Sequence, residues 1–126
     1  MGRQVLSTDA APRSPLFAQG TKKGPYISVS GTVGIDVATG ALAGETIQEQ
    51  TRQAIANCAA VLAAGDATLD DVVEVGVLLA DPDDFAGMNE AFAEAFPVDP
   101  PARYAAKLGA VIPGVRVSIR MTAVID

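Results

Sequence analysis

Apolar positions recur along the chain with two distinct periods, and the switches between them lay out its elements. Alternation is clearest near the C-terminus, where Val115, Val117, Ile119, Met121, Ala123 and Ile125 interleave with Arg116, Ser118, Arg120, Thr122 and Val124. That period of two predicts a strand with one face on a core and the other meeting solvent or an interface. A shorter copy of the pattern runs from Tyr26 to Ser30, with Ile27 and Val29 opposite Ser28 and Ser30. Before it, Arg3–Leu6 reads as a first strand, ended by Ser7-Thr8-Asp9 and Pro12, and Ser14–Gly20 as a second extended stretch. Thr21–Pro25 reads as a turn, so the region predicts a β-hairpin.

The helical period appears twice. From about Thr46 to Ala64, Ile47, Ala54, Ile55, Cys58, Val61 and Leu62 share one face. Thr46 with Glu49 forms a capping-box pattern and Gly65 supplies a stop. Asp81-Pro82-Asp83-Asp84 opens a second helix, with carboxylates at its positive end and Phe85, Met88, Phe92 and Phe96 as its buried stripe. Asn89 lies on that side too, where a polar amide either ties down a neighbour or reaches a site. Between the helices, Val72–Ala80 is too β-branched to be helical and predicts a central strand. Tyr104–Ile112 predicts another strand entering the core.

The predicted order is strand, strand, strand, helix, strand, helix, strand, strand, an α+β arrangement in a single domain over residues 1–126. Two helices cover only one face of such a sheet. The other face carries Ser28, Ser30, Ser118 and Thr122 among apolar neighbours, so oligomerisation is its expected cover, with a site between subunits.

Composition narrows the chemistry. The chain has fifteen acidic and nine basic side chains, a net charge of −6, no histidine and one cysteine. The acidity disfavours nucleic acid as a partner, and 5% aromatic content provides little for base stacking. Without histidine the usual zinc and Cys–His sites are excluded, and neither a cofactor nor a metal is expected. Cys58 lies on an apolar stripe and reads as a core residue. The N-terminal residues lack a secretory pattern and no long apolar span occurs, which predicts a cytoplasmic, membrane-free protein.

The most informative stretch is Pro100-Pro101-Ala102-Arg103-Tyr104. Two prolines stiffen the approach to Arg103, whose planar fork suits a carboxylate or phosphate. From spacing alone an ordinary salt-bridged arginine is the commoner outcome.

Several segments together resemble the RidA/YjgF family of reactive-intermediate or imine deaminases, formerly labelled endoribonuclease L-PSP. They are Ser30-Gly31, Asp36–Gly40, Glu49–Gln53, Leu69–Val73, Asp84-Phe85 with Asn89-Glu90, and Pro101-Ala102-Arg103. The resemblance implies a chorismate-mutase-like fold, two helices on one face of a mixed sheet, and a homotrimer with a central barrel and intersubunit clefts. It also implies that Arg103 binds the carboxylate of a small imino or enamino acid, which water converts to a 2-keto acid and ammonia. Ser30, Gly31 and Asn89 match wall positions of that cleft. The chain departs from the deaminase pattern at four places: Ser118 stands where the family has a glutamate on the final strand, Phe17 replaces a tyrosine, Ala105 aligns near a cysteine, and Thr32 replaces a glutamine. A hydroxyl orients water but is no general base near neutral pH. Tyr104 or Glu74 could fill the gap, although each reads as readily as a packing or solvated residue. A trimer that binds a keto acid or other carboxylate without turnover is therefore the alternative.

Overall fold

The computed structural model describes residues 2–126. Strands β1 (Gln4–Leu6), β2 (Gly20–Lys23) and β3 (Tyr26–Val33) form an antiparallel meander. A two-residue pair, β4 (Ile35–Asp36) and β5 (Ala41–Leu42), brackets the loop expected at Asp36–Gly40, with Gly40 at φ 75° in its turn. Helix α1 (Ile47–Ala64) follows, then β6 (Val72–Leu79), α2 (Phe85–Ala95), β7 (Ala102–Lys107) and β8 (Val117–Val124). The main sheet runs β1-β2-β3-β8-β6-β7. It is antiparallel except for β6 and β7, which α2 joins by a crossover.

Both helices lie on one face. Ile27, Val29, Val75, Val77, Val117, Ile119 and Met121 project from the sheet into a core closed by Ala54, Cys58, Val61 and Leu62 of α1 and by Met88 and Phe92 of α2. The capping box at Thr46 and Glu49 is formed in full. Hydrogen bonds from Thr46 hold the Glu49 carboxyl below its ordinary range. Cys58 is fully buried, and loss of hydration pushes its thiol up to about 12, so it is a core group without nucleophilic character. No helix is long and apolar enough to cross a membrane.

Three expectations need correction. Thr21–Lys23 belongs to β2 rather than to a turn; only Gly24-Pro25 turns the chain. Its alternation was disguised by Lys22, whose alkyl stem lies beside Ile27 in register while its Nζ donates to the Gly65 carbonyl at 2.9 Å. The run Tyr104–Ile112 is no core strand: β7 ends at Lys107 and is an edge strand exposed along most of its length, and the residues after it run irregularly to β8. Its larger apolar residues are half-exposed, like Tyr104 and Ile112, or almost completely exposed, like Val111. Phe85, expected in the buried stripe of α2, is half-exposed because it covers Arg103 rather than the core. Gly65 ends α1 as the sequence predicts, at an ordinary φ of −102°, and Asp66 after it takes the left-handed position.

Candidate functional site

Arg103 pairs in register with Val75 of the parallel neighbour β6, so its side chain projects to the helix-covered face, beneath α2. There it is half-buried. Nη1 donates to Oδ1 of Asn89 at 2.8 Å and contacts Sδ of Met88 at 3.7 Å. The guanidinium carbon lies 4.9 Å from the Phe92 ring centre and 5.6 Å from that of Phe85, which sets two aromatic faces against the cation. Met88, Asn89 and Phe92 come from consecutive turns of α2, so one helix face orients the whole fork. Arg13, Arg52, Arg116 and Arg120 each pair with an acidic side chain, whereas Arg103 has no acidic partner among the described residues. The salt-bridged alternative therefore fails for Arg103, and Asn89 proves to be the group that ties it down.

A second group of expected residues gathers elsewhere. β3 is irregular between Val29 and Thr32, where its register with β8 shifts and β2 has already ended. The gap is filled by the loop after β1 and opens as a cleft of about 270 Å³. Phe17, Ser30, Gly31 and Ser118 all line it, together with Arg13 and Ile112. Ser118 stands on the open face of β8, between the core residues Val117 and Ile119, and a side chain on Gly31 would start 3.1 Å from its Oγ. The Ser30 hydroxyl donates to the Ala18 carbonyl at 2.6 Å and its amide to Gln19 O at 2.9 Å, joining the bulge to the loop.

Three buried amides hold this region, and the sequence assigns none of them this hydrogen-bonding role. Gln19 accepts from Thr8 N and donates to the carbonyls of Thr8, Ala11 and Pro12, fixing the loop that carries Arg13 and Phe17. Asn57 of α1 donates to Val33 O and Ile35 O, anchoring the end of β3. Gln50 donates to Gly44 O and Gly114 O and accepts from Arg116 N, holding the segment that carries Ile112. The signal for the two on α1 was their position: Gln50 is four residues before Ala54 and Asn57 stands beside Cys58, both along a buried face where an unpaired amide would be costly.

The remaining expected residues join neither group completely. Ala105 shares Arg103's face of β7 and lines a shallow hollow with Leu79, Pro82 and Phe85. Tyr104 points to the open face, with its ring over Gly76. Glu74 is engaged by Arg120 at 3.3 Å. No cluster of three or more Cys, Asp or Glu side chains suited to a metal occurs among the described residues.

Arg103 thus projects to the helix-covered face at the β7 edge, whereas Ser118, beside the cleft, projects to the open face of β8. With β8 and β6 between β3 and β7, the separation across the strands is about 14 Å. The two groups are therefore well apart within one chain.

Comparison with known proteins agrees with this architecture. The family model described as Endoribonuclease L-PSP matches residues 8–125. A 2-iminobutanoate/2-iminopropanoate deaminase of Mus musculus is 36% identical over 123 residues, covering 97% of this chain and 91% of that protein. The crystal structure of RidA from an Antarctic Psychrobacter superposes with a TM-score of 0.90 at 34% identity, over 97% of this chain and 99% of that one. The structure of E. coli TdcF with bound serine superposes with a TM-score of 0.87 at 25% identity, over 98% and 99%. With two helices on one face of a mixed sheet and a match along nearly its full length, the chain belongs to the RidA/YjgF (endoribonuclease L-PSP) family.

Proposed function

We propose that the protein is a cytoplasmic homotrimer that hydrolyses small 2-imino or enamino acids to 2-keto acids and ammonia, with the substrate carboxylate held by Arg103. The observation that carries this reading is the state of Arg103: half-buried, oriented by Asn89 and two aromatic rings, and lacking an acidic partner among the described residues. Such a fork is preorganised for a carboxylate from outside the chain. The separation of Arg103 from the cleft supports a site between copies, in which one protomer provides Arg103 and Asn89 and its neighbour provides Ser30, Gly31, Ser118 and Phe17. The open sheet face, with Val5, Tyr26, Tyr104 and Val124 exposed, offers surface for such assembly. Serine bound to TdcF is consistent with an amino-acid-sized carboxylate as ligand.

In the proposed reaction an enamine first tautomerises to the imine. Water then adds to the C=N carbon; the carbinolamine's nitrogen is protonated, its C–N bond breaks, and ammonia departs as the C=O forms. Ser118 orients the water through its hydroxyl, and most of the acceleration comes from holding water and imine together. This is less than a carboxylate base supplies.

Ser118 at the glutamate position favours a second reading, a trimer that binds a small carboxylate without turnover. Ammonia and keto acid release from imines generated in situ by an amino acid oxidase separates the two. Acceleration by wild type that disappears in Arg103→Ala supports the deaminase; carboxylate binding without acceleration supports the second reading; acceleration unchanged in Arg103→Ala refutes both.

A further inference from the structure

The cleft beside the β3 bulge contains a cation of its own. Arg13 is the one charged side chain among the described residues that line it, and no carboxylate lines it. The loop bearing Arg13 is fixed by the amide of Gln19, which holds the carbonyls of Ala11 and Pro12 at 2.9 Å just before it. The guanidinium is held in turn by Ser7, which accepts from Nη1 at 2.6 Å, and by Asp9, which accepts from Nη2 at 2.7 Å. Asp9 is 98% exposed and Arg13 53%, so water and salt screen this pair and an incoming anion readily shares or replaces it.

The other walls are chemically uneven. Val33, Ile35, Val61 and Ile112 give the cleft apolar sides, while Ser14, Ser30 and Ser118 bring hydroxyls. With a neighbour's Arg103 holding the carboxylate next to the imine and the imine carbon beside Gly31 and Ser118, the substrate's side chain extends along the apolar wall. An aliphatic stem ending in an anion satisfies that wall and Arg13 together. We infer that Arg13 is a specificity-determining residue that selects acidic 2-imino acids, those with a second carboxylate at the end of a short aliphatic side chain. This inference rests on the function proposed above and names its substrate class.

The test compares two keto acids of equal chain length, 2-oxoglutarate and 2-oxopentanoate, by titration calorimetry against wild type, Arg13→Gln, Arg13→Lys and Arg103→Ala. Wild type is expected to bind the dicarboxylate about tenfold more tightly, as one additional charge-assisted contact provides. The preference should shrink with added salt, vanish in Arg13→Gln with 2-oxopentanoate affinity unchanged, and return in part in Arg13→Lys. Equal affinities in wild type, or a preference that survives Arg13→Gln, overturn the inference; if Arg103→Ala still abolishes binding of both acids, the anchor stands regardless. Unchanged binding of both acids by Arg103→Ala contradicts the anchor, and the role of Arg13 falls with it.

Discussion

Replacing Gln50 by leucine removes the amide that joins α1 to the segment before it and to the segment before β8, without changing the volume of the side chain much. Gln50 is 1% exposed and makes three hydrogen bonds of 2.8–3.1 Å. Leucine leaves the carbonyls of Gly44 and Gly114 and the amide of Arg116 without partners. Each unsatisfied buried group costs about 1–3 kcal/mol. Water reaches part of these loops, so the expected total is about 3–5 kcal/mol, a large share of the 5–15 kcal/mol typical of a domain. At this chain length that corresponds to a fall in Tm of roughly 12–20 °C. The assay is urea and thermal unfolding followed by circular dichroism at a fixed protein concentration, since association would otherwise alter the apparent stability. Gln48→Leu, two residues away at a half-buried position whose side chain bonds only to Glu90, serves as control and should change stability by less than about 1 kcal/mol. A Gln50→Leu loss below about 1 kcal/mol would refute the claim that this amide organises the loops.

Other consequences follow from the same contacts. Gly34→Ala would place a methyl group 2.5 Å from the Gln50 carbonyl oxygen and 2.9 Å from its Cα, backbone atoms that cannot swing aside; a loss of about 3 kcal/mol in urea unfolding is expected, and an unchanged midpoint contradicts that close approach. Asn89→Ala should weaken keto acid binding about tenfold, as loss of a charged hydrogen bond implies, with little change in Tm. Asn89→Asp should weaken it further, because a fixed carboxylate competes for Arg103; equal affinity across the three proteins rules out the orienting role. Cys58 has a folded-state pKa raised by burial to about 12 from 9.0, so its contribution is fully present below pH 9 and is lost as pH rises from 9 toward 12. The stability difference between wild type and Cys58→Ala should shrink over that window by up to about 1.4 kcal/mol per pH unit, and native protein should resist iodoacetamide at pH 8. Rapid alkylation of the folded protein contradicts the burial.

Elements governed by local rules were readable in the sequence. The capping box, the alternation of β8 and the acid-proline start before α2 each need only a few neighbouring residues to specify them. What escaped depends on partners distant in sequence. Thr21–Lys23 looks like a polar turn until pairing with Val5 and Ile27 makes it a strand. The apolar run after Arg103 reads as core because hydrophobicity does not distinguish a core strand from an exposed edge. Phe85 fits the helical stripe by spacing but covers a cation. Arg103 itself was legible through its prolines and its resemblance to the family. That it lies on the opposite sheet face from Ser118 follows only from strand order and register.

That split site is the central claim, and mixing subunits tests it most directly. Arg103→Ala removes the anchor, and Gly31→Leu crowds the cleft beside Ser118; each alone should leave no site for 2-oxobutanoate in calorimetric titration. If each site takes Arg103 from one copy and the cleft from its neighbour, the two variants unfolded together and refolded as random mixed trimers should regain about a quarter of the wild-type sites. Recovery of no sites from the folded mixture, or undiminished binding by either variant alone, would contradict the shared site.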